Sequence, residues 1–315
     1  MLQTSHHIVF NSSSGTAASA SVRPQQLVER FAALGHTVSI DAEPTRPFTE
    51  RLQTARDSAA PILVAAGGDG TATALAEVAI QSGKTLAVLP LGTANLLARD
   101  LLLPLDLDAW FAAYETMEPR CIDVGEVNGR VFLHKVVIGA VPGIAAAREQ
   151  IRGRNEIGAK VGFLMYFFNR LSRLRRFAAE ITPGKGEPHI ERVQSIAVAN
   201  NDYAEGPGKI FARARLDEGT LSLYLLRSLG PFDAMRLGLR MLMGSWKADP
   251  VLEFENVRSL VIRTRRRLIR VMLDGEIELL ESPLAFRSLP LALKVLAPPV
   301  VDEPVEPAAD AILGV

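Results

Sequence analysis

Apolar and polar positions along the first third of the chain alternate between two textures. Short apolar runs at 7–11 (HIVFN), 37–41 (TVSID), 61–66 (PILVAA) and 85–90 (TLAVLP) read as strands. Between and after them, residues 18–34, 49–58, 71–82 and about 95–101 carry helical spacing. Strands separated by helices of this length predict βαβ units and a parallel, doubly wound sheet, an α/β domain over residues 1–121. Ligands of such sheets bind at the carboxyl ends of the strands.

Past about residue 121 the texture changes. Residues 124–127 and 131–138 flank Asn128-Gly129, a strong signal for two antiparallel strands. Further strand-like runs lie at 193–200, 209–214, 221–227, 259–264, 269–273 and 293–296, with one long helical insert at about 145–180. Strands clustered in this way predict a second, antiparallel β-sandwich domain over 122–287. Residues 299–315 are rich in Pro and acids, without periodicity, and read as a flexible tail.

Composition narrows the picture only a little. A chain of 315 residues suits two domains, and 48% hydrophobic with 22% charged residues is an ordinary globular balance. Formal net charge is zero, so nothing global points to nucleic acid. Cys121 is the sole cysteine, which excludes an intrachain disulfide and a Cys-based zinc site and fits a cytoplasmic protein. The start of the chain lacks the pattern of a signal peptide, and no segment reaches the ~18 apolar residues of a spanning helix, so a membrane would be met from its surface. His6, His7 and His189 read as surface residues. The final strand could pair with a second chain, which leaves a homodimer open.

Chemistry concentrates in the strand-to-helix turns. Gly67-Gly68-Asp69-Gly70-Thr71 follows an apolar strand and opens a helix. Glycines let backbone approach an anion, and the helix end supplies N–H groups and positive potential. Asp69 could hold Mg2+ through water beside a triphosphate. The bland reading is a tight glycine turn capped by Asp69. The sequence is neither a Walker A loop nor GxGxxG. In Pro90-Leu91-Gly92-Thr93-Ala94-Asn95 the residues Thr93 and Asn95 could donate to phosphate or simply cap the next helix. A third polar turn, Asn11-Ser12-Ser13-Ser14-Gly15, ends the first strand and is open to the same two readings.

Five motifs in order carry a resemblance. The Asn11–Gly15 turn, GGDGT, PLGTAN with the following LARDL, Ile122-Asp123-Val124-Gly125 and Leu273-Asp274-Gly275-Glu276 resemble the diacylglycerol-kinase catalytic family of bacterial lipid kinases, more distantly sphingosine kinases, from His7 to about residue 298. The resemblance implies a nucleotide-binding α/β domain to which the chain returns at about 288–298, a β-sandwich lipid-substrate domain, and a site between them. It implies ATP contacts from Asn11, Ser12, Ser13, Ser14 and Gly15, from Ala66, Gly67, Gly68, Asp69, Gly70, Thr71 and Ala72, and from Gly92, Thr93 and Asn95. It further implies Asp69 and Asp123 in a magnesium–water network, Asp274 as base and Glu276 beside it. A carboxylate in reach of a lipid hydroxyl can orient it and accept its proton late in phosphoryl transfer.

Departures touch the second metal. Relatives often carry Asp-Asp-Gly where this chain has Asp217-Glu218-Gly219-Thr220, so a site using Glu218 and Thr220 is weakened by the longer side chain. Glu205-Gly206-Pro207-Gly208 and Phe211-Ala212-Arg213 replace a glycine-rich stretch and an Ile-Ala-Pro-like strand, and Leu96 stands where many relatives are polar. Residues 160–179 mix aromatic and arginine residues as a basic amphipathic helix does, which suits either the inner face of a membrane or packing on the sandwich. The expected activity is an ATP- and Mg2+-dependent lipid kinase acting on a diacylglycerol-like lipid, another glycerolipid or a long-chain base. A NAD kinase fits less well, because PLGTAN and LDGE lie outside its pattern. A catalytically weak lipid-binding protein is the reading from another class.

Overall fold

The computed structural model describes residues 4–12, 22–139, 175–206, 212–213 and 215–299. The first half runs β1 (Ser5–Phe10), α1 (Pro24–Ala33), β2 (Thr37–Asp41), α2 (Phe48–Asp57), β3 (Ile62–Gly67), α3 (Asp69–Ser82), β4 (Thr85–Pro90), α4 (Leu96–Asp100) and α5 (Leu107–Tyr114). The second half runs β5 (Glu118–Val127), β6 (Arg130–Phe132), β7 (Lys135–Ile138), β8 (Phe177–Pro183), β9 (His189–Val193), β10 (Ser195–Asn200), β11 (Leu221–Leu226), α6 (Pro231–Met243), β12 (Leu252–Val257), β13 (Ser259–Thr264), β14 (Leu268–Leu273), β15 (Glu276–Glu281) and β16 (Leu284–Ala297).

Two sheets organise the chain. β2, β1, β3 and β4 lie side by side and parallel, and β4 is followed by β16. Five of the six residues in each of β1, β3 and β4 are buried, as continuous apolar runs require when helices cover both faces. β16 then pairs antiparallel with β5 and β13, and the sheet continues through β8 to β9. A second, fully antiparallel sheet runs β12-β11-β10-β7-β14-β15. The two sheets share a core that includes Phe132, Ile181, Val198, Leu223, Val271 and Phe286. The expected α/β unit and antiparallel sandwich are both present, but they share one sheet, because β5 and β16 run from one into the other.

Several expectations need correction. The strand expected over 131–138 is two strands in different sheets, β6 beside β5 and β7 beside β10 and β14. It breaks at Leu133 and His134, whose N–H groups leave the ladder to bind a carboxylate described below. The helical insert does not reach 180: Phe177–Pro183 is β8, with Ala179 and Ile181 buried by the two-residue alternation of a strand. The final strand covers 14 residues rather than four. His6 and His7 are buried, at 1% and 4% exposure, because β1 is an interior strand, flanked by β2 and β3. The readings for 13–15, 18–21, 140–174, 207–211, 214 and 300–315 fall outside the described residues. No described helix is long and apolar enough to cross a membrane.

Candidate active site

In the order β2-β1-β3-β4 the connection after β1 leaves toward β2 and the connection after β3 toward β4, so the carboxyl ends of β1 and β3 form the switch point at which such sheets open a crevice. Asn11 spans it, donating its N–H to Ala66 O at 2.9 Å and its Nδ2 to Thr71 Oγ1 at 3.1 Å. Glycine is required at two points here. A Cβ on Gly67 would stand 2.5 Å from Thr71 Oγ1, and one on Gly92 would stand 2.4 Å from the Gly68 Cα. The two glycine turns therefore touch backbone to backbone. Leu91 N donates to Gly67 O at 2.9 Å, which locks the second turn to the first.

The first turn opens α3, a helix of 14 residues. Ala72 N–H closes the first helical bond, on Gly68 O, and the amides of Gly70 and Thr71 precede it at the positive end of the macrodipole. Ala72 itself is 2% exposed and belongs to the hydrophobic core, so its amide and side chain are both committed elsewhere. In the second turn Asn95 takes a left-handed conformation, accepts from Gly92 N and donates to Gly92 O, while Thr93 is exposed. Asn95 thus shapes the turn. Asp69 reaches across, its Oδ1 accepting from Leu96 N at 2.6 Å.

The Leu273-Asp274-Gly275-Glu276 turn closes the site from the other sheet. Asp274 and Gly275 both have positive φ, 47° and 100°, and so make the tight reversal between β14 and β15. Asp274 is 6% exposed. Its Oδ2 accepts from Leu133 N at 2.6 Å and from Thr73 Oγ1 at 3.1 Å, and its Oδ1 accepts from His134 N and Lys135 N, both at 2.9 Å. Burial pushes this carboxyl above the usual carboxylate range, and the four donors offset only part of that. Thr73 stands on α3 one turn past Asp69, so the carboxylate of one sheet is tied to the helix that follows the first glycine turn of the other. Exposed Glu276 lies beside the same helix: a Cβ at Gly70 would stand 3.6 Å from its Oε1.

A buried ion pair supports the amides that hold Asp274. Arg213 donates through Nε and Nη2 to Asp100 Oδ2 at 2.9 and 2.7 Å, and through Nη1 to Leu133 O at 2.6 Å and Asn200 O at 3.1 Å. His134 Nε2 stands 3.5 Å from Asp100 Oδ2, and burial, then the Arg213 and Lys135 charges, hold its pKa well below the ordinary histidine value. Asn200 bridges Leu133 O and Asp123 O through its Nδ2. Thr73, Asp100, His134, Asn200 and Arg213 were all missed from sequence. Arg213 alone leaves a signal, as an arginine in place of an expected apolar strand.

The expected metal ligands fall in two groups. Asp123 is 1% exposed, and its oxygens accept from Gly219 N at 2.6 Å and Leu291 N at 2.8 Å. Glu218 is exposed and accepts from Asp202 N at 3.4 Å, one residue before the Gly219 amide that Asp123 holds. Asp69 belongs to the glycine turns, while Thr220 lies with the loop before β11. Among the described residues no three acidic, histidine or cysteine side chains are placed to share an ion. Asp123, Glu218 and Thr220 thus stand in one stretch of the fold and Asp69 in another, with the Asp123 oxygens held by two backbone N–H groups.

Comparison with known proteins accounts for both halves. Residues 5–127 match the diacylglycerol kinase catalytic domain, and residues 141–297 match the YegS C-terminal NAD kinase beta sandwich-like domain. A Pseudomonas aeruginosa protein named "Probable lipid kinase YegS-like" is 32% identical over 252 residues, covering 77% of this chain and 79% of the relative. A protein from Staphylococcus epidermidis named diacylglycerol kinase is 23% identical over 274 residues, covering 85% of this chain and 84% of the relative. A crystal structure of a diacylglycerol kinase from Bacillus anthracis shares the fold, with a TM-score of 0.65 at 18% identity over 94% of this chain and 97% of that one. The chain belongs to the YegS-like lipid kinases of the diacylglycerol kinase catalytic family, and is a phosphotransferase.

Proposed function

We propose that the chain transfers the γ-phosphate of ATP to a hydroxyl of a diacylglycerol-like lipid, with other glycerolipids and long-chain bases as the remaining candidates. The observation that carries this reading is the Thr73–Asp274 hydrogen bond, which puts a buried carboxylate one helical turn from the glycine turn. Phosphoryl transfer asks the protein for positioning and charge stabilisation more than for covalent chemistry. The glycine turns and the start of α3 would cradle the phosphates. Mg2+ fits as an ion carried on the nucleotide, because it needs only one or two carboxylates besides phosphate oxygens and water, and Asp69 is the side chain suited to it. When bound, it would neutralise charge on the transferring phosphoryl group.

The hydrogen bonds of Asp274 restrict how it can act. Four donors occupy its two oxygens, so a substrate hydroxyl must displace one of them. Three are backbone amides fixed by the sheet crossing; the Thr73 hydroxyl alone can rotate away. The acceptor hydroxyl then takes its place on Oδ2, is oriented toward the γ-phosphorus, and gives up its proton to the carboxylate as its oxygen bonds to phosphorus, while the bond from the γ-phosphorus to the bridging oxygen breaks and ADP leaves. A carboxyl raised by burial holds that proton better than an exposed one.

The test is phosphoryl transfer from labelled ATP in Mg2+ with mixed-lipid vesicles. Labelled lipid is expected, and Asp274→Asn should reduce it about 100-fold or more while leaving ATP binding intact. Label in NADP instead would replace the lipid acceptor with a nucleotide one, and absence of transfer to any acceptor would favour a lipid-binding role.

A further inference from the structure

Helix α6 leaves an apolar stripe uncovered. Its inner residues Ala234, Leu237 and Met241 pack on the outer face of the six-stranded sheet, against Val137, Tyr224 and Met272 among others. Its outer residues Phe232, Met235, Leu239, Leu242 and Met243 are 69, 67, 56, 47 and 55% exposed. Their spacing puts them along one side of the helix. The helix's charges are already committed: Arg236 pairs with Asp233 and Asp249, and Arg240 with Asp249 and Ala248 O.

We infer that this stripe is a surface by which the enzyme lies on a lipid bilayer. The inference rests on the reading that the acceptor is a lipid. Five side chains at these exposures present on the order of 500 Å2, at the upper end for a single patch on a monomer. That falls short of the ~800 Å2 per partner of a stable protein interface. A second copy or another protein would also need a polar rim, and the charged groups of α6 are already paired, with one another and with the 248–249 turn. A bilayer needs neither the area nor the partners. A helix of 13 residues, about 20 Å long, can lie in the interfacial plane with one face among the acyl chains.

The position of the helix supports the same occupant. Met272 belongs to the core under α6, and Lys135 leads from that core to Asp274: its Nζ lies 5.7 Å from the centroid of the Tyr203 ring and its N–H donates to Asp274 Oδ1. Tyr203 joins the two: it packs in that core, and the Asp274 charge is among the causes, after burial, that push its phenol up. A bilayer under the stripe would therefore lie against the core that adjoins the turn carrying the proposed base. Because both arginines of α6 are held in ion pairs, attachment by the stripe should be insensitive to anionic lipid and to salt.

The experiment floats the full-length protein with phosphatidylcholine vesicles, without nucleotide, at low and high salt. The wild type is expected to float at both. Leu239→Glu and Met235→Glu should each reduce the bound fraction about tenfold or more, the cost of withdrawing one large apolar side chain and placing a charge there. Ile190→Glu, at a 70% exposed position on β9, should leave it unchanged. Phe232→Trp reports independently of binding yield, since the emission of the introduced indole should shift to the blue when vesicles are added. Undiminished flotation of the glutamate variants, or an indole emission in Phe232→Trp that is indifferent to vesicles, overturns the inference. So does a wild-type dimer in sedimentation that Leu239→Glu turns into monomer, because the stripe then belongs to a second copy. Vesicle binding through the stripe without lipid phosphorylation would sink the proposed chemistry and support the surface.

Discussion

Replacing Arg213 with methionine should cost about 3–5 kcal/mol, the range for removing one partner of a buried ion pair. The side chains of Arg213 and Asp100 are 1% and 6% exposed, so solvent screens their attraction little and cannot replace either partner. Methionine keeps the apolar volume but leaves Asp100 without its two guanidinium donors, and Leu133 O and Asn200 O without Nη1. The double variant Asp100→Leu/Arg213→Met should recover most of the loss, because an apolar pair of similar volume carries no uncompensated charge. Urea unfolding followed by far-ultraviolet circular dichroism measures both. At an m-value of roughly 3 kcal/mol/M, the single variant should shift the midpoint by about 1 M or more. The lever on function is the Leu133–Lys135 segment, whose amides hold Asp274. Arg213→Met should therefore lower kcat for lipid more than it raises the KM for ATP. A single variant within about 1 kcal/mol of wild type would refute this reasoning, as would a double variant that simply sums the two single losses.

Two further outcomes follow from the glycine turns and from β1. Gly92→Ala drives a Cβ to 2.4 Å from the Gly68 Cα, so it should cost about 1–3 kcal/mol and raise the KM for ATP with little effect on vesicle binding; calorimetry and initial rates check both. Burial, then the neighbouring His36 charge, holds the His6 pKa down at about 4 against 6.5 for the unfolded chain. As pH falls from 6.5 to about 4 the unfolded chain binds a proton that the folded one refuses, which removes about 3 kcal/mol of stability, and His6→Phe should flatten acid unfolding across that window.

The parallel half of the fold was legible because its signals are local. β2 and β4 begin and end where the apolar runs do, and the Asn128-Gly129 turn joins β5 to β6 in the expected two-residue register. A run that is apolar throughout also hides where a chain changes sheets. Residues 131–138 read as one strand because nothing in their pattern records that Leu133 and His134 turn their amides toward a side chain about 140 positions away. β8 was hidden differently: its first residues continue the arginine- and phenylalanine-rich texture before them, and only pairing with β9 and β13 decides that they are extended.

The candidate site divides along the same line. Glycines report themselves, since Gly67 and Gly92 are needed by contacts that a sequence motif can encode. The groups that set the geometry of Asp274 do not, because an amide has no sequence identity and Thr73, Asp100 and Arg213 acquire a role only when distant elements meet. Sequence therefore marks the turn proposed to hold phosphate and the carboxylate proposed to face it. The tie between the two, Thr73 to Asp274, is a property of how the second sheet closes over α3. Asp123, which carries a motif as clear as that of Asp274, has other partners: its oxygens accept from the Gly219 and Leu291 amides, and Asn200 bridges its backbone carbonyl to Leu133 O. A carboxylate in a motif becomes a base or a strut according to which donors the fold brings to it, and here the hydroxyl of Thr73, the one donor able to move, marks the proposed base.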